Sequence, residues 1–291
     1  MGLFDTQVED WYNLMPEEVE QKIKAGNQKF DFENGDYANE QDLKEIFEFV
    51  QLLIFDRRLE NMVLTLNSIK PHIERAVNQN PDNDNFLEYL VEWNILAMRF
   101  VLPDKKHLAE LPFYVEIKHL TTEKDGIFRA KELQTRLNIL NYYKTWSEGG
   151  GNPERLSDED TEIINDILEN TETLISEQVA HWKENGNIAP ALIVLRGLYR
   201  FYQLQEKPNE AIKILKEILE ILPLHNAFTP TDTADVNAEI GMIFYRYKKF
   251  ATAIPYLEKA CQTYDEAGEE YEMHFAQVES FLTECRQKAQ A

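Results

Sequence analysis

The side chains able to do chemistry are few and scattered. The six histidines, His72, His107, His119, His181, His225 and His274, show no HExxH motif and no other spacing that would bring two ring nitrogens onto one metal. Each is expected as an ordinary surface or core histidine. Cys261 and Cys285 are the two cysteines and form no CxxC pair, so a disulfide framework and a zinc site are both excluded. Their reading is as small core residues in a reducing compartment. Ser157-Asp158-Glu159-Asp160 is a dense acidic run. A helical isoprenoid synthase needs two Asp-rich clusters of DDxxD type to hold magnesium against diphosphate; this run lacks the spacing and has no second cluster, and a helix cap explains it better. GxxxxGK[ST], GxSxG and GxGxxG are all missing. The expectation is a protein with no catalytic residue, no metal and no cofactor, hence not an enzyme. What remains is recognition chemistry: Arg196 and Arg200 lie one helical turn apart and point the same way, two guanidinium forks suited to an acidic side chain or a terminal carboxylate. Arg246 is placed to join them, and the competing reading pairs all three with the chain's own carboxylates.

Composition narrows the partners. With 52 acidic against 30 basic residues the net charge is −22, a field that repels phosphate backbones and anionic lipid. The partner is therefore expected to be a protein or peptide, with no nucleic acid and no membrane involved. Residues 151–190 hold ten acids against Arg155 and Lys183, a local net of −8 that either welcomes a basic partner or simply keeps helix faces soluble. No apolar run reaches the roughly 18 residues needed to cross a bilayer, and the first residues lack a basic segment followed by an apolar one. The expected compartment is the cytoplasm. Met1-Gly2 with Thr6 formally fits an N-myristoylation pattern without an accompanying basic cluster.

Only 11 Gly and 11 Pro in 291 residues favour helices over strands and turns. Trp11, Tyr12, Leu14 and Met15 read as an apolar strap, and Pro16-Glu17-Glu18 as a helix start. Apolar residues recur every three or four places over 42–55, over 57–78 with a kink or split at Pro71, and over 86–102 up to Pro103. The last of these is apolar enough to lie in the middle of the N-terminal half. Residues 111–127 alternate and read as a short hairpin or irregular loop. Helix returns over 128–146, with Leu133, Leu137, Leu140 and Tyr143 on one stripe. Gly149-Gly150-Gly151-Asn152-Pro153 is the clearest break and is taken as the domain boundary. Ser157 and Asp160 form a capping box before a long helix ending at Trp182 or Glu184, stopped by Asn185-Gly186-Asn187. Pro190 and Pro208 open the next two helices.

The stretch 234–265 is two amphipathic segments joined by a basic, aromatic turn. Counting from Ala234, Ile240, Gly241 and Phe244 occupy places seven, eight and eleven, and Ala253, Leu257 and Ala260 places twenty, twenty-four and twenty-seven. This spacing resembles the tetratricopeptide repeat. Residues 192–223 fit a second unit, with Tyr202 at eleven, Ala211 at twenty and Leu215 at twenty-four, although Tyr199 and Ile218 replace small residues. Residues 226–233 are then an insertion, and 269–289 a closing helix over the last repeat. The phrase at 32–46 resembles a degenerate repeat junction.

The resemblance implies an all-α, right-handed superhelix of antiparallel helix pairs. Residues 1–148 would be an N-terminal helical region, itself of degenerate repeats at best, and 154–291 the repeat domain. It also implies that the first helix of each pair lines a concave face, through Ile193, Arg196, Arg200, Gln203 and Leu204 in one unit and Asp235, Ala238, Met242, Tyr245 and Arg246 in the next. The lysine and asparagine set of chaperone-tail-binding members is not reproduced. The function so implied is a protein-interaction scaffold or adaptor that holds a partner peptide or loop. The alternatives carried with it are a peptide-responsive regulatory sensor and, less favoured, a helical enzyme.

Overall fold

The computed structural model describes residues 16–32, 34–100 and 110–290. The strap, the Gly2 pattern, Pro103 and His107 lie outside the described residues. Those residues form twelve α-helices and no strand, so the chain is all-α. It divides into two compact units, the first ending at Thr171 and the second starting at Glu172. Among the described residues no helix is long and apolar enough to cross a membrane.

The first unit begins with α1 (Pro16–Lys29), α2 (Glu40–Phe55), α3 (Leu59–Gln79) and α4 (Asp84–Phe100). Helix α1 starts on Pro16 with Glu17 and Glu18 in its first turn, where the missing N–H costs nothing and the acids meet the positive end of the dipole. It crosses α2 at Gly26, where any Cβ would sit 2.4 Å from the Phe49 ring. Asn39 caps α2 by accepting the Asp42 N–H at 3.0 Å. Helix α3 carries Pro71 in its interior without being split. Helix α4 buries ten residues around most of its circumference, as its composition predicts, and the Trp93 indole donates to the Leu66 carbonyl at 2.7 Å.

Residues 111–120 correct the expectation of a hairpin or loop: they are helix α5 (Leu111–Leu120). The alternation of Phe113, Val115 and Ile117 is incidental. The buried set is Leu111, Tyr114 and Ile117, a three-residue spacing, while Val115 is exposed. Helices α6 (Ile127–Glu148) and α7 (Asp158–Glu184) follow. The glycine run between them turns the chain inside the first unit: a Cβ on Gly151 would lie 2.3 Å from the Trp146 ring, and Gly150 takes φ +94°. Trp146 of α6 then packs with Ile164 and Ile167 of α7 in one apolar cluster with Met98, Leu111, Tyr114 and Ile139. The start of α7 therefore belongs to the first unit, and the division falls inside α7 rather than at 149–153.

Helix α6 buries charge. Lys131, Glu132, Thr135 and Arg136 are all buried beside Leu133 and Leu137. The Lys131 Nζ stands 2.9 Å from Glu88 and 2.9 Å from Glu92, one turn apart on α4. Burial opposes the ammonium, but the two carboxylates outweigh it and hold the Lys131 pKa above its ordinary value. Arg136 donates to Asp166 at 2.9 Å, to the Tyr114 hydroxyl at 3.1 Å and to Thr171 at 3.2 Å. Burial would raise the Asp166 carboxyl; hydrogen bonds from Asn170 and the Arg136 guanidinium outweigh it and hold the group low.

The second unit holds the rest of α7 and helices α8 (Ile188–Leu204), α9 (Pro208–Ile221), α10 (Pro230–Arg246), α11 (Phe250–Ala267) and α12 (Glu272–Ala289). Helices α8 and α9 pack as one hairpin and α10 and α11 as another, with α12 against α11. One turn recurs. The middle residue of each three-residue link is left-handed, at Gly186 (φ +71°), Glu206 (φ 54°) and Lys248 (φ 57°), and the same turn joins α2 to α3 at Arg57 (φ 60°). Each is locked by an N–H reaching back five residues: Asn187 to Trp182 at 2.8 Å, Lys207 to Tyr202 at 2.9 Å, Lys249 to Phe244 at 2.9 Å, Arg58 to Leu53 at 2.8 Å. Small residues set the closeness of the last hairpin. A Cβ on Gly241 would lie 2.5 Å from Leu257, and Ala234, Ala253 and Ala260 join Leu257 in a core that Val278, Leu282 and Cys285 of α12 close.

Candidate functional site

Helices α8 and α10 carry the residues singled out for recognition. Arg196 stands two turns before the end of α8 and Glu239 two turns before the end of α10, and the Arg196 guanidinium meets the Glu239 carboxylate at 2.7 Å. The pair joins the midpoints of the two helices, and their direction follows from the neighbours along them: Asp235 feels Arg196, Glu239 feels Arg196 and Arg200, and Tyr199 feels Arg246, an ascending order on both helices that runs them the same way. Arg196 thus takes the competing reading: its fork is committed to the chain's own carboxylate. Burial pushes the Glu239 carboxyl above its ordinary range, with Arg196 pulling the other way.

Arg200 and Arg246 differ. Both are exposed, and neither forms an ion pair among the described residues. Both act on Tyr199, whose phenol is pushed up to about 12, chiefly by burial and secondarily by Glu239, against the pull of Arg196, Arg246 and Arg200. All three arginines are thus within electrostatic reach of one buried tyrosine, Arg196 paired with Glu239 and Arg200 and Arg246 facing solvent. Gln203 donates its amide to the Tyr199 hydroxyl at 2.5 Å, which places it at the same spot.

The remaining residues separate. Ile193 and Met242 are half-buried on the same stripes as Arg196 and Glu239, since positions 193, 196 and 200 and positions 235, 239, 242 and 246 follow helical spacing. Asp235 is half-buried and accepts a short hydrogen bond from the Tyr264 hydroxyl of α11. Burial raises the Asp235 carboxyl; burial and the Asp235 charge raise the Tyr264 phenol. Tyr245 is held by α12 instead of standing open to a ligand: its hydroxyl donates to Glu284 at 2.6 Å and its ring meets Phe281 edge-on at 5.1 Å. That assignment is corrected by α12, whose Glu284, Phe281 and Lys288 close over the ring.

Sequence reasoning missed Glu239 and Tyr264. Glu239 had a signal, lying one turn after Asp235 in the stripe that also holds Met242 and Arg246. Tyr264 had none, because its partner Asp235 lies on the preceding helix. The depressions of the surface lie elsewhere. One of about 420 Å³ runs along α9 past Lys213 and Glu217, and another of about 310 Å³ lies by the α5–α6 turn, and none of the ten residues expected on the concave face lines either. Among the described residues no group of three or more His, Cys, Asp or Glu side chains is placed to hold a metal ion. No protein-family model, no curated protein sequence and no solved structure matches this chain.

Proposed function

We propose that the protein is a non-catalytic interaction scaffold whose second unit resembles a tetratricopeptide-repeat array and holds a peptide or loop of a partner against α8 and α10. One observation carries the reading: two adjacent first-of-hairpin helices, locked in register by Arg196 and Glu239, present the exposed and unpaired Arg200 and Arg246 beside half-buried Ile193 and Met242. Repetition of the same helix–turn–helix link supports an array, because a lone hairpin leaves its apolar face open until a neighbour covers it.

The test is selection of a random peptide library on the full chain, with counter-selection on Arg200→Glu combined with Met242→Asp. Enriched peptides that bind the wild type and lose binding to the variant support the reading. No enrichment, or peptides that bind both proteins equally, overturns it.

A further inference from the structure

The stretch that closes α10 and turns into α11, Arg246-Tyr247-Lys248-Lys249, is basic and aromatic, and the face described above uses only its Arg246. Because α8 and α10 run the same way, with Arg196 between Asp235 and Glu239, Arg200 by Glu239 and Arg246 by Tyr199, this turn and the α8–α9 turn project from the same end of the unit. That end carries Lys207, Arg246, Lys248 and Lys249, all exposed and without an ion pair among the described residues; the Lys207 ammonium lies 5.6 Å from the Tyr202 ring. The acid in these turns is Glu206. Two large apolar side chains are exposed at the same end, Leu204 at 62% and Tyr247 at 51%.

Helix stability does not account for this choice of residues. Lys207 is the N-cap of α9 and Lys249 the N-cap of α11, and neither makes a side-chain capping bond. Lysine there leaves the first N–H groups without an acceptor and sets a cation at the positive end of the helix dipole. Lys248 holds a left-handed backbone that glycine would adopt without strain. Arg246, at the C-terminus of α10, is the one cation that the dipole favours. The same uncapped turn between α2 and α3 pairs its N-cap Arg58 with Glu20 and Asp56, whereas the N-cap lysines here have no carboxylate among the described residues, and that contrast marks this end as a functional surface.

We infer that this end of the second unit docks an acidic protein segment, its carboxylates on Lys207, Lys248 and Lys249 and its apolar side chains over Leu204 and Tyr247. The inference rests on reading the unit as a peptide-holding scaffold, and it adds the chemistry of the ligand and the edge from which it enters. A polyanion or an anionic bilayer extends beyond the patch and meets the repulsion of a chain at −22. A short segment stays within about one Debye length, roughly 8 Å at physiological salt, of the cations it pairs with.

The experiment measures anisotropy of a fluorescein-labelled peptide of alternating Glu and Leu, its Gln-for-Glu counterpart, a twenty-thymidine oligonucleotide, and phosphatidylserine-containing vesicles by co-sedimentation. The proteins are the full chain, Lys207→Asp with Lys249→Asp, and Arg200→Glu with Met242→Asp. The wild type is expected to prefer the Glu peptide by about tenfold, as two or three exposed charge pairs supply, and to lose that preference at high salt. The Lys207→Asp, Lys249→Asp protein is expected to lose the preference while melting a few degrees higher, since aspartate caps both helices. A variant that melts higher and keeps the preference, or tighter binding of the oligonucleotide or vesicles, overturns the inference. Equal binding of Glu and Gln peptides, abolished only by the Arg200→Glu, Met242→Asp protein, overturns it and leaves the scaffold reading standing. Binding of neither peptide overturns the inference, and the scaffold reading is then decided by the library selection alone.

Discussion

Lys131→Met removes one ammonium from the interior of the first unit while keeping the length of the side chain, so no cavity is opened and the electrostatic effect is isolated. In the native protein Lys131 is 5% exposed and holds Glu88 and Glu92 at 2.9 Å each. At an effective dielectric of about 20 each contact attracts by roughly 6 kcal/mol before desolvation of the three groups is subtracted. After the substitution both carboxylates remain, at 14% and 17% side-chain exposure, with no cation between them. Breaking a buried pair from one side costs about 3–5 kcal/mol. For a unit of this size that corresponds to a fall in Tm of roughly 6–20 °C. The assay is urea unfolding followed by far-UV circular dichroism, with a calorimetric scan to assign the transition. In the wild type Lys131 has a raised pKa, so its contribution is complete below 10.5 and disappears as pH climbs through the folded value. Lys131→Met with Glu88→Gln and Glu92→Gln should recover most of the loss. A single substitution that costs less than about 1 kcal/mol, or a triple variant no better than the single one, would refute the assignment of this cluster as a charge lock.

Three other substitutions probe the second unit. Glu239→Gln removes a carboxyl whose pKa burial has raised; such a group penalises the folded state at neutral pH and is relieved as pH falls through the raised value, so the wild type should gain more stability than the variant on moving from pH 7 towards 4.5, read from paired thermal melts. Gly241→Val forces methyl groups into Leu257 and is expected to cost about 1–3 kcal/mol in urea unfolding, with part of the loss recovered by Leu257→Ala. Glu206→Gly relieves a non-glycine residue at φ 54° and should raise the unfolding free energy by up to about 1 kcal/mol, read from urea unfolding; a fall would mean that the Glu206 side chain contributes more than its backbone costs.

Periodicity made most of the helices legible, because burial on one face writes itself into the spacing of Leu, Ile and Phe. Helix α7 ends at Glu184, as the Asn185-Gly186-Asn187 stop predicts, and α12 runs from Glu272 to Ala289 where a closing helix is expected. Residues 111–120 failed the same test because Phe113, Val115 and Ile117 imitate a strand over so short a window. The charges of α6 were illegible for a different reason. Lys, Glu and Arg on a helix read as a solvated face unless their partners are known, and Glu88 precedes Lys131 by more than forty residues. The same distance hides the Glu239 that neutralises Arg196. Sequence spacing showed that Arg196 and Arg200 point one way; it had no means of showing that only one of them is already occupied.

On the proposed scaffold function, that difference decides which cations a ligand could use. A cation already facing a carboxylate offers a ligand little, since an incoming acid must displace the internal one and leave it half-buried, as Glu239 would be. Arg200 and Arg246 carry no such debt, nor do Lys207, Lys248 and Lys249 at the turns. Selectivity then follows from the contrast between patch and background. On that proposal the overall charge of −22 would oppose long polyanions, while the screening length, about 8 Å, would let a compact acidic segment sense the local cations first. Raising the salt weakens the repulsion and the attraction together, but the exposed cations are screened directly, so affinity for an acidic segment must fall with ionic strength. A gain with added salt would locate the driving force on the apolar side chains of Leu204 and Tyr247 rather than on charge.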